Sequence, residues 1–374
     1  MNTKPPRPVR VAIVAASLRY VGGHSAQADS LVSNWRGEPE IEARLIAIDP
    51  SVPTLLQWLM RVPFIRTIVR EPFYLAALWR GLWDADVAHI FSASYWSFWI
   101  APVPALLMAG LLKKQALIHY HSGEAEDHLR RSPLARWVLA GADCLIVPSS
   151  YLVDVFGKFG LAAQAVPNIV DLHQFPFRAR RPLRPHLICT RGFHQYYRVD
   201  LVVEAFALIQ KQFPEARLDL LGEGPEEHQI RDLVTRLQLK AVHFAGVASR
   251  QQIAHFYRAA DIFINASCLD NMPVSILEAF ASGTPVVSTA PEALKYLIEH
   301  ERTGLLSEVG DANALAQNVE RLLRNPELSY EIAKNAYEAC KAYTFIQVRT
   351  PWRDLYLSLT GGNRDKVGEL AEVH

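Results

Sequence analysis

The chain has 374 residues, 50% of them hydrophobic and 21% charged, with a formal net charge of +1 at pH 7. That length accommodates two domains of ordinary size, and the composition excludes a disordered or fibrous protein. The near-balanced charge excludes a global pull toward nucleic acid.

Four cysteines, Cys144, Cys189, Cys268 and Cys340, form no C-x-x-C pair or metal-ligand spacing and read as reduced thiols. The first residues, MNTKPPRPVR, run into VAIVAAS with neither the apolar core nor the small-residue cleavage site of a secretory signal, so a cytoplasmic location is expected. Short apolar runs then alternate with amphipathic stretches: VRVAIVAAS, ARLIAID, VAHIFSA, QALIHYH and CLIVPSS read as strands with helical patterns between them. That alternation predicts a parallel sheet covered on both faces. Behind the first strand, LRYVGGHSAQADSLV sets Gly22 and Gly23 at the opening of a helix. The pair either makes a plain tight turn or lets backbone N–H groups approach an anion or a sugar hydroxyl. The spacing is not G-x-G-x-x-G and lends no support to dinucleotide binding.

Further along, TLLQWLMRVPFIRTIVREPFYLAALWRGLW interleaves Arg61, Arg66, Arg70 and Arg80 with Trp58, Phe64, Phe73, Tyr74, Trp79 and Trp83. Two readings stand side by side: packed helices with solvated arginines, or a peripheral docking face for an anionic membrane surface. Ile90 to Leu112 carries no charge and has the length of a membrane span. Its opening alternates like a strand, however, and Pro102 and Pro104 interrupt it, which predicts a buried strand, a loop and a helix. In IHYHSGEAEDH, alternation puts His119 and His121 on one strand face. An H-x-H pair at a strand end can ligate a metal, but no convincing set of partner ligands appears. His121 is suited to contact a polar ligand, and His119 fits a satisfied core histidine.

Residues 170–185, VDLHQFPFRARRPLRP, suit neither helix nor strand and mark a seam between domains 1–172 and 173–345. Residues 346–374 are expected to form a helix returning toward the first domain, then a frayed tail. The second half repeats the rhythm with HLICTR, ARLDLLG, VHFAG, IFINAS and PVVST, a second doubly wound sheet. Ligand crevices lie at the carboxyl ends of such strands, so the two domains are expected to face each other across a cleft. In RGFHQYYRVD, Arg191 closes a strand and Arg198 opens a helix. Converging, they suit a diphosphate; apart, they read as surface arginines. Gly222 and Gly224 in LLGEGPEE make a routine turn or let backbone approach a phosphate or base.

The stretch LDNMPVSILEAFASGTPVVST reads as a loop, a short helix over 273–282 closed by Gly283, and a buried strand. On the helical period Glu278 falls beside Val274, Leu277 and Ala281, a face expected to meet the sheet. Asp270 stands in the loop before the helix, and the steps from Pro273 to Glu278 alone span about 7.5 Å. Two carboxylates so separated cannot share one small ligand, but they can grip two ends of a long one.

Taken together, the glycine pair at 22–23, His121, VPNIVDLHQF, Arg191, LLGEGP, AHFYRAADIFINAS and the acidic stretch followed by HERTGLL resemble the retaining family 4 glycosyltransferases of GT-B fold, over nearly the whole chain. The family's E-x7-E pair is here Asp270-x7-Glu278. The resemblance implies an α/β protein of two Rossmann-like domains that moves a sugar, with retention, from a nucleoside diphosphate donor. The acceptor is expected to be a glycan, in cell-surface polysaccharide or glycoconjugate synthesis, with its contacts mainly in the first domain; the basic-aromatic helices of that domain are expected to dock at the inner membrane and reach a lipid-linked glycan, a soluble acceptor being the alternative. The resemblance implies that Glu278 binds the ribose hydroxyls and Asp270 the hydroxyls of the donor sugar. Arg191 would bind the diphosphate and stabilise the leaving group, with Arg198, Gly222 and the helix amino terminus at Asn271, Met272 and Pro273 around it. His121 would touch the donor sugar, and Gly22 and Gly23 would admit backbone to the reaction centre. No cofactor, metal or protein nucleophile is implied, because the leaving phosphate helps deprotonate the acceptor.

Three departures stand out. Asp270 is one methylene shorter than the family's glutamate, which implies a different seat or hydroxyl pattern for the donor sugar. GFHQYYRVD replaces an Arg-then-Lys-Gly pattern, so either Arg198 takes the lysine's place or the tyrosines shift the site. Glu292 and Ala293 replace a Gly-Gly pair after VVST. Two other functions are compatible with the same residues: a sugar-nucleotide epimerase of similar architecture, and a non-catalytic sugar-nucleotide binding protein.

Overall fold

The computed structural model describes residues 7–19, 22–62 and 65–361. Phe64 of the basic-aromatic stretch and the expected frayed tail lie outside them. The chain divides into two compact units, one running up to Pro167 and resuming at Val348, the other spanning 168–347.

The first unit is built on six parallel strands, β1 (Val9–Ala15), β2 (Ile41–Ala47), β3 (Val87–Ser92), β4 (Gln115–Tyr120), β5 (Cys144–Val147) and β6 (Gln164–Ala165), in the order β2-β1-β3-β4-β5-β6. β3 is buried along its whole length and β4 nearly so. Helices cover both faces, so these strands read as continuous apolar runs rather than alternating ones. The chain reverses its direction of travel between β1 and β3, where open sheets of this kind place ligands. The uncharged stretch 90–112 folds as the end of β3 and two short helices, Tyr95–Ile100 and Pro102–Leu111, with Pro102 in the first turn where its missing N–H costs nothing. No helix among the described residues is long and apolar enough to cross a membrane.

The basic-aromatic stretch forms a 3-10 helix, Thr54–Arg61, and a longer helix, Ile65–Trp83. The latter turns Tyr74, Leu78 and Leu82 inward at helical spacing and leaves Ile65, Ile68, Leu75, Trp79 and Trp83 on its outer side. Ile68 is 71% exposed and Trp58, on the 3-10 helix, 66%, so the outer side is apolar as well as the inner one. The helix Phe345–Thr360 packs Trp352 and Tyr356 against β3, with the Tyr356 hydroxyl 2.8 Å from His89 Nδ1, and pairs Arg349 with Glu38.

The second unit also has six parallel strands: β7 (His186–Cys189), β8 (Arg217–Leu221), β9 (Val242–Gly246), β10 (Ile262–Asn265), β11 (Val286–Thr289) and β12 (Leu305–Ser307), ordered β12-β11-β10-β7-β8-β9. Its reversal falls between β7 and β10. The proline- and arginine-rich stretch read as a seam is in fact packed into this unit. Arg180, 3% exposed, donates to the carbonyls of Tyr257, Ala260 and Ser282 at the carboxyl ends of two helices, where the last C=O groups have no partner within the helix. Arg178 and Arg184 both pair with buried Asp261.

Candidate functional site

In the second unit the site assembles where the topology predicts, at the carboxyl ends of the two neighbouring strands β7 and β10. Arg191 follows β7 and is 8% exposed. Its Nη2 donates to the Asp270 carboxylate in the loop after β10, its Nη1 donates to Ser275 Oγ at 3.0 Å, and its Cζ lies 3.9 Å from the centre of the Tyr197 ring. Its Nε has no hydrogen-bond partner among the described residues. The Asp270 carboxylate also accepts the Asn271 N–H at 3.0 Å. Burial pushes the Asp270 carboxyl up, and the Arg191 charge, the Asn271 N–H and Ser267 pull it back.

The glycines after β8 fix this arrangement. Gly222 has φ +146°, and a Cβ there would lie 2.3 Å from the Arg191 carbonyl oxygen; at Gly224 it would lie 2.4 Å from that of Phe193. The side-chain position at each glycine is therefore taken by the backbone of 191–193, and the absence of a side chain seats Arg191. Arg198 does not join Arg191. Its backbone is left-handed (φ +48°), and its guanidinium forks onto Asp200, with Nε 3.0 Å from Oδ1 and Nη2 3.0 Å from Oδ2. Tyr197, one residue earlier, covers Arg191 instead.

The helix of the acidic stretch runs Val274–Ala281, with Pro273 at its cap in extended conformation rather than in the first turn, and Gly283 beyond its end at φ +67°. Its sides are not as the periodicity predicts. Ser275, Ile276, Leu277, Ala279, Phe280 and Ala281 are all buried, and Val274 and Glu278 form the one half-exposed strip, so Glu278 does not share the sheet-facing side. Only a helix enclosed on most sides does this, and its uniformly apolar sequence conceals which strip opens. Burial nevertheless pushes the Glu278 carboxyl up to about 8, against the opposing influence of the Arg250 charge and the Tyr257 hydroxyl. Tyr257 is fully buried, donates to the Ser275 carbonyl at 2.7 Å and sits 2.8 Å from Thr190 Oγ1, linking the loop after β7 to the acidic helix. Asn271 and Met272 are buried, and the Met272 carbonyl accepts from Asn168 Nδ2 at 2.7 Å. Glu292 is exposed and paired with Lys295 at 2.5 Å, and Ala293 is buried.

In the first unit, Gly22 caps the helix Gly23–Asn34, with Ser25 Oγ bridging its N–H and C=O at 3.2 and 3.0 Å. The helix brings in His24, whose ring centre is 4.9 Å from that of His121. His121 is 8% exposed, stacks on Phe91 and lies 4.0 Å from the His119 ring. His119 Nδ1 is 3.1 Å from His89 Nε2, while the Nε2 atoms of His119 and His121 have no partner among the described residues, so His119 is only half satisfied. Burial pushes His24 down to about 4 and His89 to about 3, and with added repulsion between the imidazoles it holds His119 and His121 well below the usual range. Burial thus favours the uncharged imidazole in all four.

Sequence reasoning missed Ser275, Tyr257, Arg250 and His24. Ser275 lay within the acidic stretch, one turn before Glu278, and His24 directly followed the glycine pair. Tyr257 carried no signal, since an aromatic among helical apolar residues looks like core, whereas Tyr197 is one of the two tyrosines of GFHQYYRVD read as able to shift the site.

Residues 26–174 match the family described as Glycosyltransferase Family 4 and residues 178–339 that described as Glycosyl transferases group 1. The putative glycosyltransferase EpsD of Bacillus subtilis (strain 168) is 25% identical over 241 residues, 60% of this chain and 63% of that protein. The lipopolysaccharide core biosynthesis glycosyltransferase LpsE of Rhizobium meliloti (strain 1021) is 32% identical over 149 residues, 40% of each chain. The chain thus spans about half the length of the curated relatives it matches. Among solved structures, Anabaena Alr3699/HepE in complex with UDP and glucose superposes with a TM-score of 0.71 at 16% identity, over 94% of this chain and 100% of that one. With the two family descriptions dividing most of its length between them, one on each doubly wound sheet, the chain belongs to the group 1 glycosyl transferases and has the GT-B fold.

Proposed function

We propose that the protein is a retaining glycosyltransferase that moves a hexose from a nucleoside diphosphate donor to a lipid-linked glycan in polysaccharide or glycoconjugate synthesis. The observation that carries this reading is the buried Arg191–Asp270 pair at the β7/β10 crevice, beside a helix that exposes one acid, Glu278. Burying an ion pair is costly, and a fold that does so at a ligand crevice has a use for the charges. When the diphosphate arrives, the Arg191 guanidinium exchanges Asp270 for phosphate oxygens, to which it presents a planar fork of donors. Asp270 is then free to accept a hydroxyl of the sugar. Charge grows on the diphosphate as the glycosidic bond breaks, and a fixed cation there favours the transition state over the ground state. The amino end of Val274–Ala281 adds a favourable dipole. Glu278 accepts the ribose hydroxyls, and the neutral imidazole of His121 is assigned to the donor sugar. The leaving phosphate takes the acceptor proton, with no protein nucleophile, cofactor or metal. The relative with UDP and glucose bound supports a nucleotide-sugar donor.

The acceptor side is assigned to the first unit. Its outward apolar stripe, with Arg61, Arg66, Arg70 and Arg80 along the same two elements, supports a peripheral contact with the cytoplasmic face of the membrane. Anionic liposomes at low salt should pellet the protein; indifference to them would remove the membrane from the account. The donor claim is tested by thermal stabilisation with UDP, GDP, ADP and their sugars. A ligand at a hundredfold over its Kd adds about 2.7 kcal/mol to a folded state that alone binds it. One nucleotide series should stabilise the wild type and neither Glu278→Ala nor Arg191→Ala; no shift with any nucleotide would contradict the donor site.

A further inference from the structure

We propose that a cavity at the carboxyl ends of β1 and β2 binds the phosphate or diphosphate group of a lipid-borne acceptor, with Arg19 and Arg70 as its cationic ligands. The inference rests on the acceptor half of the reading above and not on the donor site, with which the cavity shares no residue. It has a volume of about 580 Å³, within the range of small-molecule sites. Four pieces of chain meet in its wall. The loop after β1 brings Arg19, the loop after β2 brings Asp49 and Ser51, the 3-10 helix Thr54–Arg61 brings Gln57 and Met60, and the helix Ile65–Trp83 brings Arg70.

The polar groups are already arranged for an anion. Arg19 Nη2 donates to Ser51 Oγ at 2.7 Å, which holds the guanidinium at the wall. Asp49 is the one acid of the lining, and a free carboxylate there would repel a phosphate. Both of its oxygens are occupied, however: Oδ1 accepts the Ser17 N–H at 2.7 Å, Oδ2 accepts the Ser17 hydroxyl at 2.5 Å, and the residue is 4% exposed. Two guanidinium groups against one engaged carboxylate leave an excess of positive charge. Guanidinium forks match phosphate oxygens in pairs.

The neighbouring surface distinguishes a lipid phosphate from a free one. The two elements that supply Gln57, Met60 and Arg70 also expose Leu55, Trp58, Ile65 and Ile68 to solvent. A water-soluble sugar phosphate uses the cavity and has no need of that stripe. An amphiphile uses both, its headgroup in the cavity and its chain side against the apolar residues.

The test titrates inorganic pyrophosphate into the full chain carrying Arg191→Ala, so that the guanidinium of the second unit does not contribute. Saturable binding is expected, weakened about tenfold in Arg19→Gln and in Arg70→Gln by loss of a charge-assisted hydrogen bond. Arg19 is exposed, so its variant folds whatever Arg70 contributes to packing. Phosphatidylcholine vesicles carrying a polyprenyl phosphate should pellet the wild-type chain beyond plain phosphatidylcholine vesicles, with the excess reduced in both variants. Absence of saturable pyrophosphate binding, or full-strength binding in either variant, overturns the two-arginine site. Pyrophosphate binding with no vesicle excess overturns the lipid source. Failure here with nucleotide-dependent stabilisation intact strikes this cavity alone; loss of that stabilisation with pyrophosphate binding intact strikes the donor reading alone.

Discussion

The two units carry their candidate site residues in opposite electrostatic states. The second unit buries a charge pair, Arg191 against Asp270, next to a helix on which burial favours the protonated form of Glu278; the first gathers the imidazoles of His89, His119 and His121 against Phe91, with His24 beside His121, and burial favours their uncharged form. Burial acts on both, with opposite consequences for pH. Glu278 is raised from 4.5 to about 8, so between those values the folded chain holds a proton that the unfolded chain has given up, and stability falls as pH rises through that window. His24 and His89 are lowered from 6.5 to about 4 and about 3, so the unfolded chain takes up protons first, and stability falls as pH drops below 6.5. Burial of an ionisable group thus sets the side from which pH attacks a domain, according to the sign of the charge it suppresses.

The contrast can be broken at its strongest point first. Arg191→Ala should reduce turnover by about 10² to 10³, as removal of a fixed donor at a developing oxyanion does. A larger loss in His121→Ala would reverse the ranking of the two units. Gly222→Ala should destabilise by about 2 to 4 kcal/mol in urea unfolding, since its Cβ meets backbone and its φ of +146° disfavours any side chain. The same variant should lose nucleotide stabilisation, because Arg191 shifts with its loop. The pH signatures separate next. Glu278→Gln should lose less stability than the wild type between pH 5 and 8, and nucleotide affinity in the wild type should rise toward pH 8 and level off above it, a dependence the variant lacks. His89→Gln should be less sensitive than the wild type between pH 6.5 and 4. Parallel unfolding curves for wild type and variant in either window would contradict the corresponding assignment. The smallest effect is Tyr197→Leu, which removes the ring beneath Arg191; titration should show donor affinity lower by about fivefold, the size of one partly buried cation–π contact.

Much of this was legible in residue order. Largely apolar runs such as VAHIFS announced strands covered on both faces, and their alternation with helical patterns announced two doubly wound sheets. β6 and β12, two and three residues long, were missed because so short a run has no period to detect. Arg191, Asp270 and Glu278 were singled out as a strand-end arginine and two separated acids, and given roles by resemblance, but their contacts were not legible. That Asp270 holds Arg191, that Arg198 turns to Asp200, and that Gly222 makes room for the backbone of Arg191 are consequences of how loops after different strands meet. The opening of the acidic helix at Glu278 failed for a related reason: on a helix of almost uniform apolarity, periodicity cannot tell the strip that faces solvent. Arg180 shows the converse. A cluster of arginines and prolines looks like a linker until the Arg180 guanidinium is seen to satisfy the carbonyls of two helix ends.

The most direct test of retaining transfer through Arg191 is the anomeric configuration of the sugar released or transferred from the stabilising nucleotide sugar, followed by proton NMR before mutarotation, in wild type and Arg191→Ala. Retention of the donor's configuration with collapse of the rate in the variant is the predicted result. An inverted product, or wild-type turnover in Arg191→Ala, would contradict the mechanism proposed for this site.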